Sequence, residues 1–305
     1  MREGLRKKHM IIPKHVQIET ISGVCTSRCI MCSYKSWKRK PAVMNNNTFK
    51  MVLEKFRPYR EHIQYLSMQG WGEPLLDNRL AEKVKIAKEM GFKGTGFATN
   101  CTALDERISL DLIGAGLDTI LCGIDGINKH THEAVRVGTD FEKIVSNVKN
   151  FIKIRNESKS KTRIIIRFII QEINKKEWPP FLDYWSRQVN KGFGDEVVKF
   201  DIHNCAGSID GYEDMDPNRG LSLGDICEEL FIRILIFSNG EIGFCNADID
   251  GFFKLGNIAN SDPIKVFNNE IFNHYRKMMR EGKILKLKHC KDCTLPRSRA
   301  LKKEG

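Results

Sequence analysis

Two hydrophobic periods alternate along the first two thirds of this chain. Residues 16–21, Val16-Gln17-Ile18-Glu19-Thr20-Ile21, exchange apolar and polar side chains with the two-residue period of a strand. Residues 48–59 follow with Phe49, Val52, Leu53 and Phe56 at the spacing of one helical face. The exchange then repeats. Strands are predicted over 65–69, 94–99, 117–124, 163–170 and 196–202. Helices are predicted over 77–90, 105–115, 141–155 and 178–189, with Gly91 and Gly116 stopping the first two. Repeated strand–helix units of this length predict a parallel sheet with right-handed crossovers. Six of them predict an α/β fold, a partial, TIM-like (β/α)6 barrel that stays open. Sites on such sheets gather at the C-terminal ends of the strands.

The pattern changes after Cys205. Residues 207–224 are rich in Gly, Asp, Ser and Asn and read as a linker or lid. Residues 231–237 and 241–245 then read as two strands joined by Ser238-Asn239-Gly240, a hairpin signal. Residues 262–280 read as one helix with Ser261 or Asp262 as N-cap and Pro263 in its first turn. The expected organisation is an N-terminal extension (1–15), a core domain (16–206), the linker (207–224), and a small α+β hairpin-plus-helix domain (225–305) ending in a basic tail.

Composition narrows the class. The 305 residues are enough for one large domain and a smaller one. The charged start is followed only by Met10-Ile11-Ile12, too short for the core of a signal peptide, and the most apolar later stretch is interrupted by Arg167. A soluble, cytoplasmic protein with no membrane partner is expected. In that compartment ten cysteines argue for metal binding rather than disulfides, and seven fall into two spaced groups. Cys101, Cys122 and Cys205 are left over and read as small buried residues. The net charge of +12 favours acidic or phosphorylated partners, or is simply a basic solvated surface.

The first group is Cys25, Cys29 and Cys32, spaced C-x3-C-x2-C in the loop after the first strand. Three thiolates hold three irons of a four-iron cluster and leave the fourth open to a ligand. A zinc site is the competing reading, but no fourth Cys or His follows close to Cys32. The next strand ends carry Gly70-Trp71-Gly72-Glu73-Pro74-Leu75, then Thr99-Asn100, then Gly123-Ile124-Asp125-Gly126 with Arg136 beyond. Carbonyls and the Glu73 carboxylate suit an ammonium group, and Thr99 and Asn100 suit a carboxylate or ribose.

These motifs, in this order, resemble the radical S-adenosylmethionine (SAM) superfamily. The resemblance implies that Cys25, Cys29 and Cys32 hold a [4Fe-4S] cluster whose open iron binds SAM. One-electron cleavage of SAM then yields a 5′-deoxyadenosyl radical that abstracts hydrogen from substrate. It implies that Gly72 and Glu73 contact the methionine ammonium, that Met31 lies beside the adenine, that Arg136 reaches the carboxylate, and that Asn100 and Asp125 belong to the same site. Two residues depart from the family pattern. Gly123 stands where a Ser is frequent, and Cys101 where a Gly commonly follows Thr-Asn.

The second group is Cys227, Cys245, Cys290 and Cys293, spaced C-x17-C-x44-C-x2-C. By residue type it suits zinc or an iron–sulfur cluster. This segment resembles the twitch domain, a short form of the SPASM domain, and its spacing resembles that of aminocyclitol dehydrogenases. The likeness implies a second [4Fe-4S] cluster, fully ligated, that accepts an electron. Dehydrogenation also needs a base, for which Asp248, Asp201 and His203 are candidates. The implied partners are a small-molecule or peptide substrate, acidic or phosphorylated if the basic loop 34–40 recognises it, and a reducing donor such as flavodoxin or ferredoxin. Peptide maturation and epimerisation are alternatives within the class. A zinc-stabilised nucleic-acid-binding protein is the alternative outside it.

Overall fold

The strands predicted from the two-residue pattern assemble into one eight-stranded sheet. A computed structural model describes residues 10–209 and 226–295. We label the strands β1 (His15–Ile18), β2 (Tyr65–Ser67), β3 (Thr95–Thr99), β4 (Thr119–Gly123), β5 (Arg163–Ile170), β6 (Glu196–Asp201), β7 (Arg233–Ile236) and β8 (Ile242–Gly243). Their order across the sheet is β6-β5-β4-β3-β2-β1-β7-β8. The first six run parallel, as crossovers through helices require. Most of the predicted linker, the charged start and the basic tail fall outside the described residues.

Helices cover the outer face: α1 (Asn46–Phe56), α2 (Leu80–Glu89), α3 (Glu106–Gly114), α4 (Lys129–Val135), α5 (Phe141–Glu157) and α6 (Trp178–Ser186). Phe49, Val52, Leu53 and Phe56 of α1 are fully buried, the face read from sequence. Caps fix the starts. Asn45 accepts from the Thr48 amide and Asp105 from the Ile108 amide. Gly91 (φ 84°) and Gly116 (φ 83°) take the left-handed conformation that ends α2 and α3. Ile164, Ile166 and Phe168 of β5 are buried, while Arg163, Ile165, Arg167 and Ile169 line the inner cavity.

Three features differ from the sequence expectation. β7 pairs parallel with β1, Val16 opposite Ile234, so the C-terminal hairpin extends the main sheet instead of standing apart from it. Phe231 and Ile232, read as strand, belong to the short helix α7 (Glu229–Ile232). The single helix predicted over 262–280 is two, α8 (Pro263–Phe267) and α9 (Glu270–Arg280). Asn269 breaks it, because its side chain accepts from the Phe272 amide and starts a new helix.

Candidate active site and metal centres

The connection leaving β1 carries the first three cysteines to the C-terminal rim of the sheet. Arg28–Cys29 pairs antiparallel with Arg136–Val137, which ties the loop across the rim. The Glu73 amide donates to the Val24 carbonyl (2.8 Å) and the Gly23 amide to that of Trp71 (2.9 Å). Glycine is needed for this approach: a Cβ at Gly72 would lie 2.8 Å from the Ile21 carbonyl oxygen, and one at Gly70 would lie 2.4 Å from Glu19 Cγ. These glycines make room for the neighbouring chain.

A cavity of about 280 Å³ opens beside the loop. Cys25, Cys29, Cys32, Met31, Gly72, Glu73, Asn100 and Arg136 all line it. Donors already face the sulfurs. Ser27 Oγ lies 3.4 Å from Cys25 Sγ and 3.3 Å from Cys29 Sγ. Asn100 Nδ2 stands 3.7 Å from Cys25 Sγ and Arg136 Nη1 stands 3.9 Å from Cys29 Sγ. Such contacts favour thiolate and tune a bound metal.

Each remaining side chain has a defined place. Glu73 is buried and accepts from Thr99 Oγ1 (2.6 Å), the Asn100 amide (2.8 Å) and the Leu75 amide (3.1 Å). Burial still pushes its carboxyl up. Glu73 therefore joins the second and third strand ends, besides lining the cavity. Asn100 Nδ2 also donates to Thr26 Oγ1 (2.9 Å) and Ser27 Oγ (3.3 Å), so this residue braces the cluster loop. Asp125 corrects the expectation of ligand contact. It lies behind the cavity wall, accepting from Arg136 Nε (2.7 Å) and the Ile169 amide (2.6 Å). Its role is to hold Arg136, whose buried Nη2 has no acceptor and is fit to receive a carboxylate.

The two departures from the family pattern acquire physical reasons. A Cβ at Gly123 would lie 2.5 Å from Arg136 Nη2, so glycine there admits the guanidinium. Cys101 has φ 62°, a backbone conformation in which glycine is the unstrained residue.

Asp201 and His203 line a second cavity of about 680 Å³ inside the barrel. His203, Gln69, Arg167 and Ile169 line both cavities, so the two adjoin. Asp248, the third candidate base, is placed apart from both cavities. It is fully buried and accepts from the Phe244 (3.1 Å) and Phe252 (2.9 Å) amides to fix the loop after Cys245. The basic loop is also partly committed: Arg39 forms a two-bond pair with Glu19 (2.8 and 2.7 Å).

Sequence reading gave Arg167 no place in the site, and it read Cys205 as a small buried residue, which it is. The signal for Arg167 was a charge in the middle of the isoleucine-rich strand. Cys205 lines the cluster cavity; burial, then the charges of Cys32 and Cys293, push its thiol up to about 12. It therefore stands between the two cysteine groups. The segment around it is docked to the second group by the Asn204 amide on Thr294 Oγ1 (2.8 Å) and Asn204 Nδ2 on the Asp292 carbonyl (2.7 Å).

Cys227, Cys245, Cys290 and Cys293 converge on one narrow cleft walled by Leu230, Phe244, Met279 and Ile284, with Glu229 and His289 also lining it. Burial and then neighbouring negative charge raise the Cys245 and Cys290 thiols, a cost that a bound cation removes. Among the described residues, the one group of three or more ligating side chains with all donor atoms within 4.8 Å of one another is Glu133, Asp140 and Glu142. Both cysteine groups are wider than that. Tetrahedral zinc holds its thiolates roughly 3.8 Å apart, given Zn–S bonds of about 2.3 Å. The wider spread suits a polynuclear cluster in both groups.

The comparisons with known proteins agree. A family described as the radical SAM superfamily matches residues 20–182, and SPASM, described as an iron-sulfur cluster-binding domain, matches residues 227–294. A probable GTP 3′,8-cyclase of Methanococcus maripaludis is 26% identical over 166 residues, 54% of this chain and 53% of that protein. One from Saccharolobus islandicus is 21% identical over 164 residues, 54% of this chain and 50% of that protein. The chain thus spans about half the length of the curated relatives it matches. Among solved structures, BtrN in complex with AdoMet and 2-DOIA has a TM-score of 0.61 at 18% identity, covering 92% of this chain and 93% of that one. SuiB of Streptococcus suis bound to the precursor peptide SuiA has a TM-score of 0.70 at 14% identity, covering 94% and 71%. The enzyme anSMEcpe with bound AdoMet has a TM-score of 0.63 at 16% identity, covering 88% and 84%. At these identities the structural likeness is one of fold. No helix among the described residues is long and apolar enough to cross a membrane. With the cysteine loop, the cavity beside it and the matched profile covering more than half of the sequence, the chain belongs to the radical SAM superfamily and carries a SPASM iron–sulfur domain, with SAM and [4Fe-4S] clusters as its cofactors.

Proposed function

We propose that this protein is an oxidoreductase that dehydrogenates an unactivated C–H position of a small substrate. The observation that carries this reading is the contrast between the two cysteine groups. The first faces a cavity of about 280 Å³ with room and donors for a further ligand; the second closes on a cleft of about 20 Å³, lined mostly by apolar side chains together with Glu229 and His289. When bound, the cluster and SAM supply a carbon radical that removes a hydrogen atom, and a closed second cluster supplies an electron acceptor. The rest is the work of this chain's residues. Cys25, Cys29 and Cys32 hold the metal, the backbone at Gly72 and Glu73 receives the methionine ammonium, Met31 flanks the adenine, and Arg136 takes the carboxylate. Asp201 and His203, in the barrel cavity, are the groups positioned to take the substrate proton. The chain divides in this reading into a core (16–206) and an auxiliary domain (225–305) on either side of the linker.

Peptide maturation is a second reading, supported by the likeness to SuiB, which was solved with a precursor peptide. Deuterium transfer from a labelled candidate substrate into 5′-deoxyadenosine tests the hydrogen abstraction itself.

Two further results follow. Replacing Cys290 and Cys293 with alanine is expected to remove about half of roughly eight irons per chain and to spare uncoupled SAM cleavage. Loss of all cleavage with the first cluster intact would sink this division of roles. Gly123→Ser drives a side chain into Arg136 and is expected to weaken SAM binding about tenfold, about 1.4 kcal/mol. Unchanged SAM affinity by calorimetry would remove Arg136 from the carboxylate site.

A further inference from the structure

The inner face of β5 presents Arg163 and Arg167 to the barrel cavity, and β7 adds Arg233. Two of these three cations have protein partners. Arg163 pairs with Glu196 at 2.6 Å and donates to the Gly194 carbonyl at 2.6 Å. Arg233 pairs with Glu229 at 2.7 Å and donates to Gln17 at 2.8 Å. Arg167 has none: its side chain makes no hydrogen bond or ion pair among the described residues, and its Nε is buried without an acceptor. A guanidinium does not shed its proton in a protein. It therefore stays charged in a site where desolvation of an unmatched cation is costly. The nearby carboxylate is engaged elsewhere: Asp125 is held by Arg136 Nε at 2.7 Å.

Position adds to charge. Arg167 is one of the residues shared by the barrel cavity and the cluster cavity. A substrate whose C–H bond is reached from the cofactor has to lie at that junction. On the adjacent strand Arg167 stands opposite Val198, and Asp201 stands opposite Ile170, nearer the C-terminal rim. A molecule anchored on Arg167 thus extends toward Asp201 and His203. The volume of about 680 Å³ is that of a small-molecule site.

We propose that Arg167 is a specificity-determining residue that receives an anionic group, carboxylate or phosphate, of a small substrate held in the barrel cavity. This rests on the radical SAM reading of the adjoining site. The planar fork of Arg167 matches either oxyanion with two parallel hydrogen bonds, which a lysine ammonium does not reproduce. The committed partners of Arg163 and Arg233 leave Arg167 as the discriminating cation of the three.

The test uses anaerobically reconstituted, SAM-bound protein and calorimetric titration with inorganic phosphate, with succinate, and with succinamide as the neutral counterpart of succinate. The expected result is one-to-one binding of phosphate or succinate and none of succinamide. Arg167→Ala is expected to weaken anion binding at least tenfold, and Arg167→Lys by an intermediate factor. Iron content confirms that each variant is loaded; should the alanine variant fail to load, Arg167→Lys and Arg167→Gln decide. Equal anion affinity in wild type and variants overturns the proposal, as does no anion binding by wild type. A fall in SAM affinity as large as the fall in anion affinity also overturns it, placing Arg167 on the cofactor carboxylate. Formation of 5′-deoxyadenosine by the same wild-type sample reports separately on the radical SAM reading.

Discussion

Replacing Cys25, Cys29 and Cys32 together with alanine abolishes 5′-deoxyadenosine formation, a loss on the order of a thousandfold or more, because the coordination position that engages SAM goes with them. The expected magnitude follows from the structure of the loop. All three thiols line the cavity, and donors from Ser27, Asn100 and Arg136 face two of the sulfurs. No other cysteine group has an adjoining cavity of this kind among the described residues; the C-terminal four are walled in. The loop is tied to the rim by its own backbone pairing with Arg136–Val137, so the protein is expected to remain folded. Anaerobic reconstitution, iron and sulfide counting and chromatography of the nucleoside check the result. Cleavage retained at more than about one per cent of wild type would contradict the assignment.

Glu19→Gln is expected to destabilise the protein by about 3–5 kcal/mol, the cost of leaving one member of a buried ion pair without its partner. Glu19 is fully buried at the end of β1 and accepts two bonds from Arg39 (2.8 and 2.7 Å). It also accepts from the Trp71 amide (3.1 Å) and the Ser238 amide (3.1 Å). One carboxylate thus joins the basic loop, the Gly-Glu-Pro turn and the C-terminal hairpin. Arg39 is itself packed over Phe237 (4.1 Å) and donates to the Ile249 carbonyl (2.7 Å). Removing the charge of Glu19 strands Arg39 between these partners. The double variant Glu19→Gln/Arg39→Met is expected to recover part of the loss, since it removes the stranded charge. The thermal midpoints of the single and double variants decide. A double variant no more stable than Glu19→Gln would show that the hydrogen bonds to the backbone, not the ion pair, carry the effect.

Local signals survived folding and non-local ones did not appear in the sequence. The α1 face, the Asn239-Gly240 turn and the C-x3-C-x2-C loop depend on residues close in the chain, and each is where the pattern places it. The pairing of β7 with β1 joins residues more than 200 positions apart, and nothing in either strand announces it. Helix α4 was missed because Lys129–Val135 offers few apolar residues to mark a face, although Asn128 caps it. Asp248 illustrates a different limit. An acidic residue three positions after a cluster cysteine reads as a candidate base, yet its two oxygens are taken by backbone amides that close its own loop. Asp125 likewise reads as a ligand contact and acts through Arg136. In both cases the residue type and place were legible, and the partner that settles its job was not.

Electron paramagnetic resonance of two reduced variants, with and without SAM, tests the central claim most directly. The Cys290→Ala/Cys293→Ala protein keeps the N-terminal cluster, and SAM is expected to shift its signal. The protein lacking Cys25, Cys29 and Cys32 keeps the C-terminal cluster, and SAM is expected to leave its signal unaltered. A signal from the N-terminal cluster that ignores SAM, or one from the C-terminal cluster that responds to it, would contradict the account.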